Sequence, residues 1–334
     1  MAGDNGVTLS DLGDLRTPWC LHVAATLRIA DHLAEHPTGG PMPADELAGK
    51  ASCDAEWLAR VLRHLVSRGV FTEPQPDCFG LNALADQLRD PGNRIGLDLD
   101  GIGGRMAHAW SSLLTAVRTG RPAYDQVFGM PFWQDLDANP DIAASFDALM
   151  GPAGHGTPDP DVLLTGDWAD IRTVVDVGGG TGSLLAEILR ARPGVRGILV
   201  DLPRTVSGAV ETFREAGVAD RVETVAQSFF DALPAGGDLY VLKSILNDWP
   251  DTEATAILGR CADAAAPDGR VVVIGGVSPD GQPARLEVET VLVGGKSRTL
   301  ATFADMAAAS NLTVEAAGPL RSGRFAVQCR YAAE

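Results

Sequence analysis

Apolar residues recur at helical spacing through the first half of the chain, from Leu15 onward. This pattern predicts helices over residues 15–33, 43–50, 55–67, 103–119 and 140–150. Short apolar runs at residues 69–71 and 78–81 flank a turn-rich stretch at residues 73–77, which is typical of a small β-hairpin. Two helices followed by such a hairpin predict a winged helix.

The pattern changes after Trp168, where short apolar runs alternate with helical stretches. Buried strands are predicted at residues 173–177, 197–200, 222–225, 239–242 and 271–274, with helices at residues 183–192, 206–215 and 252–265. Strands alternating with crossover helices predict a mostly parallel sheet covered on both faces. Apolar runs at residues 312–317 and 325–330 predict an antiparallel edge to this sheet.

These patterns predict an α/β protein with two domains. Residues 1–165 are predicted to form a helical, winged-helix-type domain that covers the substrate, and residues 166–334 a Rossmann-like domain. The breaker-rich stretch at residues 151–160 is predicted to be a loop or an interrupted helix.

A winged helix raises the alternative of a DNA-binding regulator with Arg60, Arg63 and Arg68 as its phosphate contacts. The net charge of −17 argues against this alternative, because the chain offers no broad surface for counterion release. We therefore expect a solvated helix face and no nucleic-acid partner.

Cysteine spacing and the absence of long apolar runs indicate where the protein works. The five cysteines lie far apart with no CxxC pair, which is typical of free thiols in a reducing compartment. Residues 1–15 lack the pattern of a signal peptide, and no apolar stretch approaches the roughly 20 residues that span a bilayer. No histidine pair has metal-ligand spacing near an acid. The sequence thus predicts a cytoplasmic protein with no membrane partner and no metal.

A glycine-rich motif follows the first strand of the second half. The spacing is D-x-G-x-G-x-G, formed by Asp176, Gly178, Gly180 and Gly182, and Asp201 ends the next strand. Glycines let the backbone approach a ligand at the end of the first strand, and an acid at the end of the second can accept hydrogen bonds from ribose hydroxyls. A dinucleotide fingerprint would need glycine where Ser183 stands. The motif therefore favours S-adenosylmethionine (SAM) over the alternative, a nicotinamide cofactor.

The sequence resembles the SAM-dependent O-methyltransferases of plant phenolic and bacterial aromatic-polyketide pathways, including those that methylate naphthoic acids and anthracyclines. The resemblance runs from Leu15 to the end of the chain. Its motifs lie at residues 118–123, 132–133, 174–182, 201–203, 228–231, 242–249 and 294–299.

This resemblance implies a homodimer joined through the N-terminal domain. It also implies that Asp201 holds the ribose, that Phe229 and Phe230 border the adenine, and that Trp249 packs on the adenine face. Lys243 and Ser244 are expected near the sulfonium, and Leu202 and Ser228 belong to the same cofactor motifs.

At residues 246–249 the family pattern is Leu-His-Asp-Trp, and its histidine takes the proton of the substrate hydroxyl. Here the position is Asn247, whose amide cannot accept a proton at neutral pH. Eight positions before Gly294, where the family has an acid that orients the histidine, stands Leu286, with Glu287 and Glu289 nearby. The candidate catalytic residues are therefore Asn247, Asp248 and His155, with His108 and Lys243 as further acid/base candidates.

The predicted function is methylation of a small aromatic or polyketide-derived natural product, with O-methylation by proximity as the main hypothesis. C- or N-methylation is an alternative. A further alternative is a methyltransferase fold in which the sulfonium only stabilises charge during decarboxylation with hydroxylation, dehydration or pericyclic cyclisation. Trp110, Phe146 and Met150 are predicted to face the substrate.

Overall fold

The computed structural model describes residues 8–37, 39–151, 158–282, 288 and 290–331. The chain forms two compact units, the first of residues 1–108 and 141–149 and the second of residues 109–140 and 150–334. The predicted domain limits at residues 165 and 166 stay a prediction.

Helices occur throughout the described residues. In chain order they are α1 (Leu9–Leu12), α2 (Arg16–Thr26), α3 (Ile29–Ala34), α4 (Ala44–Ala51), α5 (Ala55–Ser67), α6 (Ala83–Asp86), α7 (Pro91–Leu97), α8 (Ile102–Ala109), α9 (Leu113–Thr119), α10 (Asp125–Phe128), α11 (Phe132–Ala138), α12 (Pro140–Met150), α13 (Ser183–Ala191), α14 (Pro203–Glu215), α15 (Asp251–Ala264), α16 (Thr290–Val293) and α17 (Leu300–Ala309). Short 3-10 turns lie at Gln87–Arg89, Trp110–Ser112, Trp168–Asp170, Ala219–Arg221 and Leu246–Asp248.

The strands fall into one small sheet, one two-stranded pair and one large sheet. They are β1 (Met42–Pro43), β2 (Thr72–Gln75), β3 (Cys78–Gly80), β4 (Thr173–Val177), β5 (Arg196–Asp201), β6 (Val222–Ala226), β7 (Gly237–Lys243), β8 (Ala265–Ile274), β9 (Val277–Ser278), β10 (Arg298–Thr299), β11 (Leu312–Pro319) and β12 (Phe325–Tyr331).

Helix α5 illustrates how the first unit forms. Asp54 caps its N-terminus by accepting a hydrogen bond from the Trp57 amide at 2.9 Å. Leu58, Leu62 and Leu65 recur at helical spacing and are buried in the core of this unit. The helix predicted over residues 55–67 is therefore confirmed.

Two of the predicted helices are each divided in the structure. The prediction of one helix over residues 15–33 is wrong because Arg28 has a left-handed backbone, with φ 53°, between α2 and α3. The predicted helix over residues 103–119 is interrupted by the 3-10 turn Trp110–Ser112, where the Ser112 hydroxyl donates to the Ala109 carbonyl at 2.8 Å.

The hairpin of the first unit starts later than predicted. Residues 69–71 are not a strand, because positive φ values at Gly69 (82°) and Phe71 (68°) interrupt the extended backbone. Strand β2 instead covers part of the predicted turn, and it pairs with β3 in the small sheet of order β1-β3-β2. The predicted wing is present, but its first strand begins at Thr72 instead of residue 69.

The three arginines considered as DNA contacts are occupied by carboxylates of the same unit. Arg60 pairs with Glu56 on α5. Arg63 pairs with Glu73 at 3.1 Å and with Asp77, and Arg68 pairs with Asp14 at 3.0 Å. Each cation already has an anion beside it, which disfavours phosphate binding at this helix.

The second unit is organised by a seven-stranded sheet of order β11-β12-β8-β7-β4-β5-β6. Strands β4 to β8 pair in parallel, whereas β12 pairs antiparallel with β8 and with β11. This confirms the predicted parallel sheet and its antiparallel edge. The strand order reverses beside β4, and ligands of such sheets bind at the carboxyl ends of the strands near this point.

Both faces of the large sheet are covered, as the continuous apolar runs predict. Val175 and Val177 of β4 face one core with Ile257 and Leu258 of α15, whereas Val174 faces the other core with residues of α13 and α14. The apolar cores thus fix the carboxyl ends of β4, β5 and β7 side by side at one edge.

Candidate functional site

A glycine loop joins β4 to α13. Gly178, Gly180 and Gly182 have φ values of 67°, 63° and 79°, which other residues rarely adopt. A Cβ on Gly182 would collide with the Phe213 ring, whereas a Cβ on Gly180 would meet nothing within 4 Å. Packing therefore requires the glycine at residue 182, and the backbone at Gly180 faces open space beside the strand ends.

Asp201, at the end of β5, holds this loop in place. Its Oδ2 accepts a hydrogen bond from the Gly180 amide at 2.8 Å, and its Oδ1 accepts one from the Leu202 amide at 2.7 Å. Burial raises the pKa of Asp201, and the two amide hydrogen bonds lower it in part. The carboxylate retains lone pairs that can accept hydrogen bonds from a ribose.

Asp176, near the end of β4, is almost fully buried, with 1% of its surface exposed. Its Oδ2 has no hydrogen-bond partner among the described residues. Burial raises the pKa of Asp176 to about 7, the Lys243 ammonium counteracts this rise, and Asp201 adds to it. A buried carboxylate with an unpaired oxygen is costly and suits a ligand that supplies a cation or a donor.

An aromatic cluster borders the same edge. Phe230 lies perpendicular to Trp249 with ring centroids 4.9 Å apart, and Phe229 contacts both rings. Trp133 of α11 stacks on Trp249 at 5.7 Å with 12° between the ring planes. The cluster offers flat apolar surfaces of the kind that bind adenine. Trp133 was not among the predicted cofactor residues.

The loop after β7 (residues 244–249) is held by one buried arginine. The Arg298 side chain is 1% exposed and donates to the carbonyls of Leu246 at 2.7 Å and Trp249 at 2.8 Å. Its Nε donates to Asp251 at 2.9 Å. Burial lowers the pKa of Arg298, and the Asp251 carboxylate raises it again in part. Arg298 thus sets the position of the loop that carries Asn247.

The amide of Asn247 has a defined orientation. Its Nδ2 donates to Asp248 Oδ1 at 2.8 Å. Its Oδ1 is buried and lacks a hydrogen-bond partner in the part of the chain that the structure describes. A Cβ on Gly276 would lie 2.8 Å from the Asn247 Cβ, so the glycine makes room for this side chain. The result is a fixed acceptor oxygen where the family pattern has a base.

The remaining predicted residues are more dispersed. Ser228 accepts a hydrogen bond from the Phe230 amide at 3.2 Å, and Lys243 and Ser244 follow each other at the end of β7. Trp110 is half-buried in its 3-10 turn, and Met150 is 42% exposed. Phe146 lies in the first unit. The substrate-facing roles of these last three residues stay predictions.

Several residues of the catalytic hypothesis lie outside the described residues. These are His155 and the acidic stretch with Leu286, Glu287 and Glu289. His108, the other histidine considered, contacts the Trp19 ring at 5.1 Å within the first unit. This ring contact indicates a packing role for His108.

The residues at this edge fit SAM. The ligand has an ammonium for the orphaned oxygen of Asp176, ribose hydroxyls for Asp201, and an adenine for the aromatic cluster. The open space at Gly180 accommodates its approach to the backbone. All the residues used in this fit belong to the second unit.

The described residues contain neither a candidate metal site nor a membrane-spanning helix. No group of three or more histidine, cysteine or acidic residues there could hold a metal ion. No helix of that part of the chain has the length and hydropathy to cross a membrane.

Two family matches cover most of the chain. The O-methyltransferase domain matches residues 110–311, and the O-methyltransferase dimerisation domain matches residues 12–89. The second match confirms the prediction of an N-terminal dimerisation domain.

Characterised relatives extend over nearly the full length. The chain is 42% identical over 321 residues to 2,7-dihydroxy-5-methyl-1-naphthoate 7-O-methyltransferase of Streptomyces carzinostaticus, covering 94% of this chain and 95% of the relative. It is 38% identical over 331 residues to aclacinomycin 10-hydroxylase RdmB of Streptomyces purpurascens, covering 93% and 85%. The crystal structure of the O-methyltransferase NcsB1 from neocarzinostatin biosynthesis, with SAM and 2-hydroxy-5-methyl naphthoic acid, matches with a TM-score of 0.88 and 40% identity, covering 97% of this chain and 99% of that one.

Proposed function

Because the chain belongs to the family of SAM-dependent O-methyltransferases, we propose that it methylates a hydroxyl group of a small aromatic or polyketide-derived natural product. The support from the comparisons is that a similar enzyme is named for its action on a dihydroxynaphthoate, and that the similar crystal structure of NcsB1 holds a hydroxynaphthoic acid. The support from this chain is the set of strand-end residues that fits SAM, together with the loop carrying Asn247 beside it.

The proposed mechanism depends on the side chain of Asn247. Its unpaired Oδ1 accepts a hydrogen bond from the hydroxyl of the acceptor, while Asp248 fixes the other end of the amide. This contact orients the acceptor oxygen. It does not remove the proton, because a neutral amide is not a base at physiological pH.

The chain's residues supply binding and alignment. Asp201 holds the ribose, Asp176 takes the ammonium, and the Phe229–Phe230–Trp249 cluster takes the adenine. SAM supplies a methyl group on a sulfonium, which is a good leaving group. After the acceptor hydroxyl has released its proton to water, its oxygen would form the new C–O bond as the S–C bond breaks, and the electron pair of that bond would stay on the sulfur of S-adenosylhomocysteine. Holding the two atoms in line contributes several kcal/mol, on the order of the gain from intramolecular positioning.

The presence of Asn247 in place of the family's histidine restricts the acceptor. An ordinary phenol has a pKa of about 10 and stays protonated at neutral pH. A hydroxyl acidified by an aromatic carbonyl or carboxylate system already ionises in part near neutral pH. We therefore expect such acidified hydroxyls to be the preferred acceptors, and plain phenols to react slowly.

A second candidate function is a conversion that needs SAM but keeps its methyl group. The specific observations in its favour are Asn247 in place of the histidine and the relative named as a hydroxylase. In this case the sulfonium would stabilise negative charge that develops on the substrate. C- and N-methylation remain alternatives within the methyl-transfer proposal.

The deciding experiment uses methyl-labelled SAM and a panel of hydroxynaphthoic acids, phenols and polyketide intermediates. Product mass and S-adenosylhomocysteine are measured together. The proposal expects products heavier by one methyl group, in amounts that match the S-adenosylhomocysteine released, with fragmentation that assigns the methyl to oxygen. Conversion that requires SAM but leaves it intact would refute methyl transfer.

The same proposal assigns the enzyme to the cytoplasm. Its support is that all five cysteines are free thiols, as expected in a reducing compartment. Cell fractionation of the producing organism with an antibody against the protein tests this assignment.

A further inference from the structure

Two cations meet at the carboxyl edge of the large sheet. Lys243 is the last residue of β7. Arg324 directly precedes β12, which pairs antiparallel with β8 so that Ala326 lies opposite Ile274. Lys243 itself lies opposite Ile274 on the other side of β8. The two cationic residues therefore flank the carboxyl end of one strand.

Ser244 fixes the orientation of Arg324. The arginine Nη1 donates to the Ser244 hydroxyl at 3.2 Å. Ser244 has a left-handed backbone, with φ 57°, and its amide donates to the Ile274 carbonyl at 2.9 Å. A non-glycine residue held in this conformation costs energy, and such residues concentrate at ligand sites. The strained turn keeps the serine hydroxyl on the side of Arg324.

Neither cation has a carboxylate partner among the described residues, whereas the buried Arg298 and the part-buried Arg204 of the same unit each have one. Arg298 pairs with Asp251 and Arg204 with Asp137. For Lys243 and Arg324, no carboxylate of the described residues lies within 4 Å. Two partly buried cations without paired anions form a site of positive potential in a chain whose net charge is −17.

Asp176 does not neutralise both cations. The charge of Asp176 raises the pKa of Lys243. However, burial raises the pKa of Asp176 itself to about 7, so this carboxyl is only partly ionised at neutral pH. Burial lowers the pKa of Lys243, the charge of Arg324 lowers it further, and Asp176 raises it in part. The ammonium and the guanidinium are thus close enough to repel each other, and an anion between them would relieve this repulsion.

We propose that Lys243 and Arg324, with Arg324 oriented by Ser244, form a binding subsite for a carboxylate. The guanidinium uses Nη1 for Ser244 and retains its other N–H groups for a carboxylate, which arginine binds well through its planar fork. The carboxylate belongs either to the methionine end of SAM or to an aromatic acid that serves as acceptor. This subsite rests on the proposed function in one respect, namely that SAM and its acceptor bind at the carboxyl edge of the large sheet.

The test measures binding of ligand pairs that differ by one carboxylate. Calorimetry compares SAM with decarboxylated SAM and, in the presence of S-adenosylhomocysteine, 2-hydroxy-1-naphthoate with 2-naphthol. The variants are R324Q and R324K, with R321Q as the matched control. Arg321 lies on the same β11–β12 turn but is 85% exposed and pairs with Asp161 at 3.3 Å.

If SAM is the source of the carboxylate, R324Q weakens SAM binding about 10-fold or more, and weakens decarboxylated SAM less than about 2-fold. If the acceptor is the source, R324Q weakens binding of 2-hydroxy-1-naphthoate about 10-fold or more and binding of 2-naphthol less than about 2-fold. SAM binding is then unchanged. R324K recovers part of the affinity, and R321Q changes none of these values.

Two results would overturn the subsite. One is an equal loss for both members of each pair, which would mean that Arg324 only supports the local structure. The other is unchanged binding of all four ligands by R324Q. Because binding is measured without turnover, a failure of methyl transfer itself leaves this test intact.

Discussion

The two ends of the candidate site are built in different ways. At the cofactor end, the glycine loop is fastened by Asp201, 21 residues from Gly180 in the sequence. At the acceptor end, the loop at residues 246–249 is fastened by Arg298, which lies 52 residues from Leu246 and 49 from Trp249. One end is local in sequence, whereas the other depends on a distant buried side chain.

This difference indicates what each end contributes. The cofactor end has carboxylates placed to meet the polar groups of SAM. The acceptor end has an amide in place of the family's base, yet its loop is held by a guanidinium that is 1% exposed. Such firm anchoring of a loop without a base is what alignment of an acceptor requires, since misplacement by about 1 Å costs on the order of 100-fold in rate.

The largest expected effect is at Asp201, and it tests the cofactor end. D201N keeps the shape of the side chain but removes the charge that accepts hydrogen bonds from the ribose and from the Gly180 amide. Hydrogen bonds to a charged group contribute about 1.5–3 kcal/mol each, so loss of two predicts SAM affinity reduced by roughly 100-fold or more. Calorimetric titration with SAM measures this change.

The control for Asp201 is E223Q on the neighbouring strand β6, which removes an exposed carboxylate without touching the loop. It should leave SAM affinity unchanged. SAM binding to D201N within about 3-fold of the parent would remove Asp201 from the cofactor site and weaken the contrast between the two ends.

The next effect tests the acceptor end. R298L leaves the carbonyls of Leu246 and Trp249 without their donor and should lower the free energy of unfolding by about 3 kcal/mol. We expect kcat to fall about 100-fold while SAM affinity falls by less than 10-fold, because the loop carries Trp249 with it when it shifts, whereas Asp176 and Asp201 stay in place. Urea unfolding, steady-state kinetics and SAM titration give the three values.

R298K and K296Q keep this prediction testable if R298L folds poorly. Lysine retains the charge beside Asp251 but has fewer donors for the carbonyls, so its kcat should lie between those of R298L and the parent. Lys296 pairs with the same Asp251 at the surface, and its loss should change stability by less than about 1 kcal/mol. Equal losses of kcat and SAM affinity in R298K would mean that the two ends are not separate.

The same contrast explains what the sequence could reveal. Strands β4 and β5, the glycine loop and Asp201 were predictable because their apolar runs and turn residues are contiguous. Trp133 and Arg298 lie in the family motifs, but their contacts with Trp249 and with the loop at residues 246–249 were not predicted, and Arg324 was not singled out. Their partners are distant in sequence, and only the folded chain brings them together. The divided helix at Arg28 was missed because nothing in the helical spacing signals a left-handed residue.

A smaller effect is the pH dependence of SAM binding, which tests the role of Asp176 at the cofactor end. The pKa of Asp176 is raised from 3.8 to about 7 in the folded chain, so the folded state holds a proton that the unfolded state releases at lower pH. Its contribution therefore lowers stability as pH rises from about 4 to about 7. SAM carries a net positive charge and favours the ionised carboxylate, so binding should tighten about 10-fold between pH 5.5 and 7.

D176N tests the assignment of this pH dependence. The variant should bind SAM with nearly the same affinity across that range, because it has no proton to release at this position. SAM titrations of parent and variant in identical buffers give the comparison. An equally steep pH dependence in D176N would assign it to another group.

The smallest expected effect is at Asn247 and bears directly on the mechanism. N247L keeps the size of the side chain but removes the Oδ1 that we propose accepts the hydrogen bond of the acceptor hydroxyl. A neutral hydrogen bond contributes about 1 kcal/mol, and this one is made only while the acceptor hydroxyl keeps its proton. The KM for the acceptor should therefore rise roughly 5-fold, with SAM affinity unchanged. In the parent and the variant alike, the rate should rise with pH as the acceptor ionises, and acidified hydroxyls should react fastest. A loss of kcat of about 1,000-fold in N247L, together with a changed pH profile, would instead make Asn247 part of a proton relay. Positioning alone would then no longer account for the acceptor end.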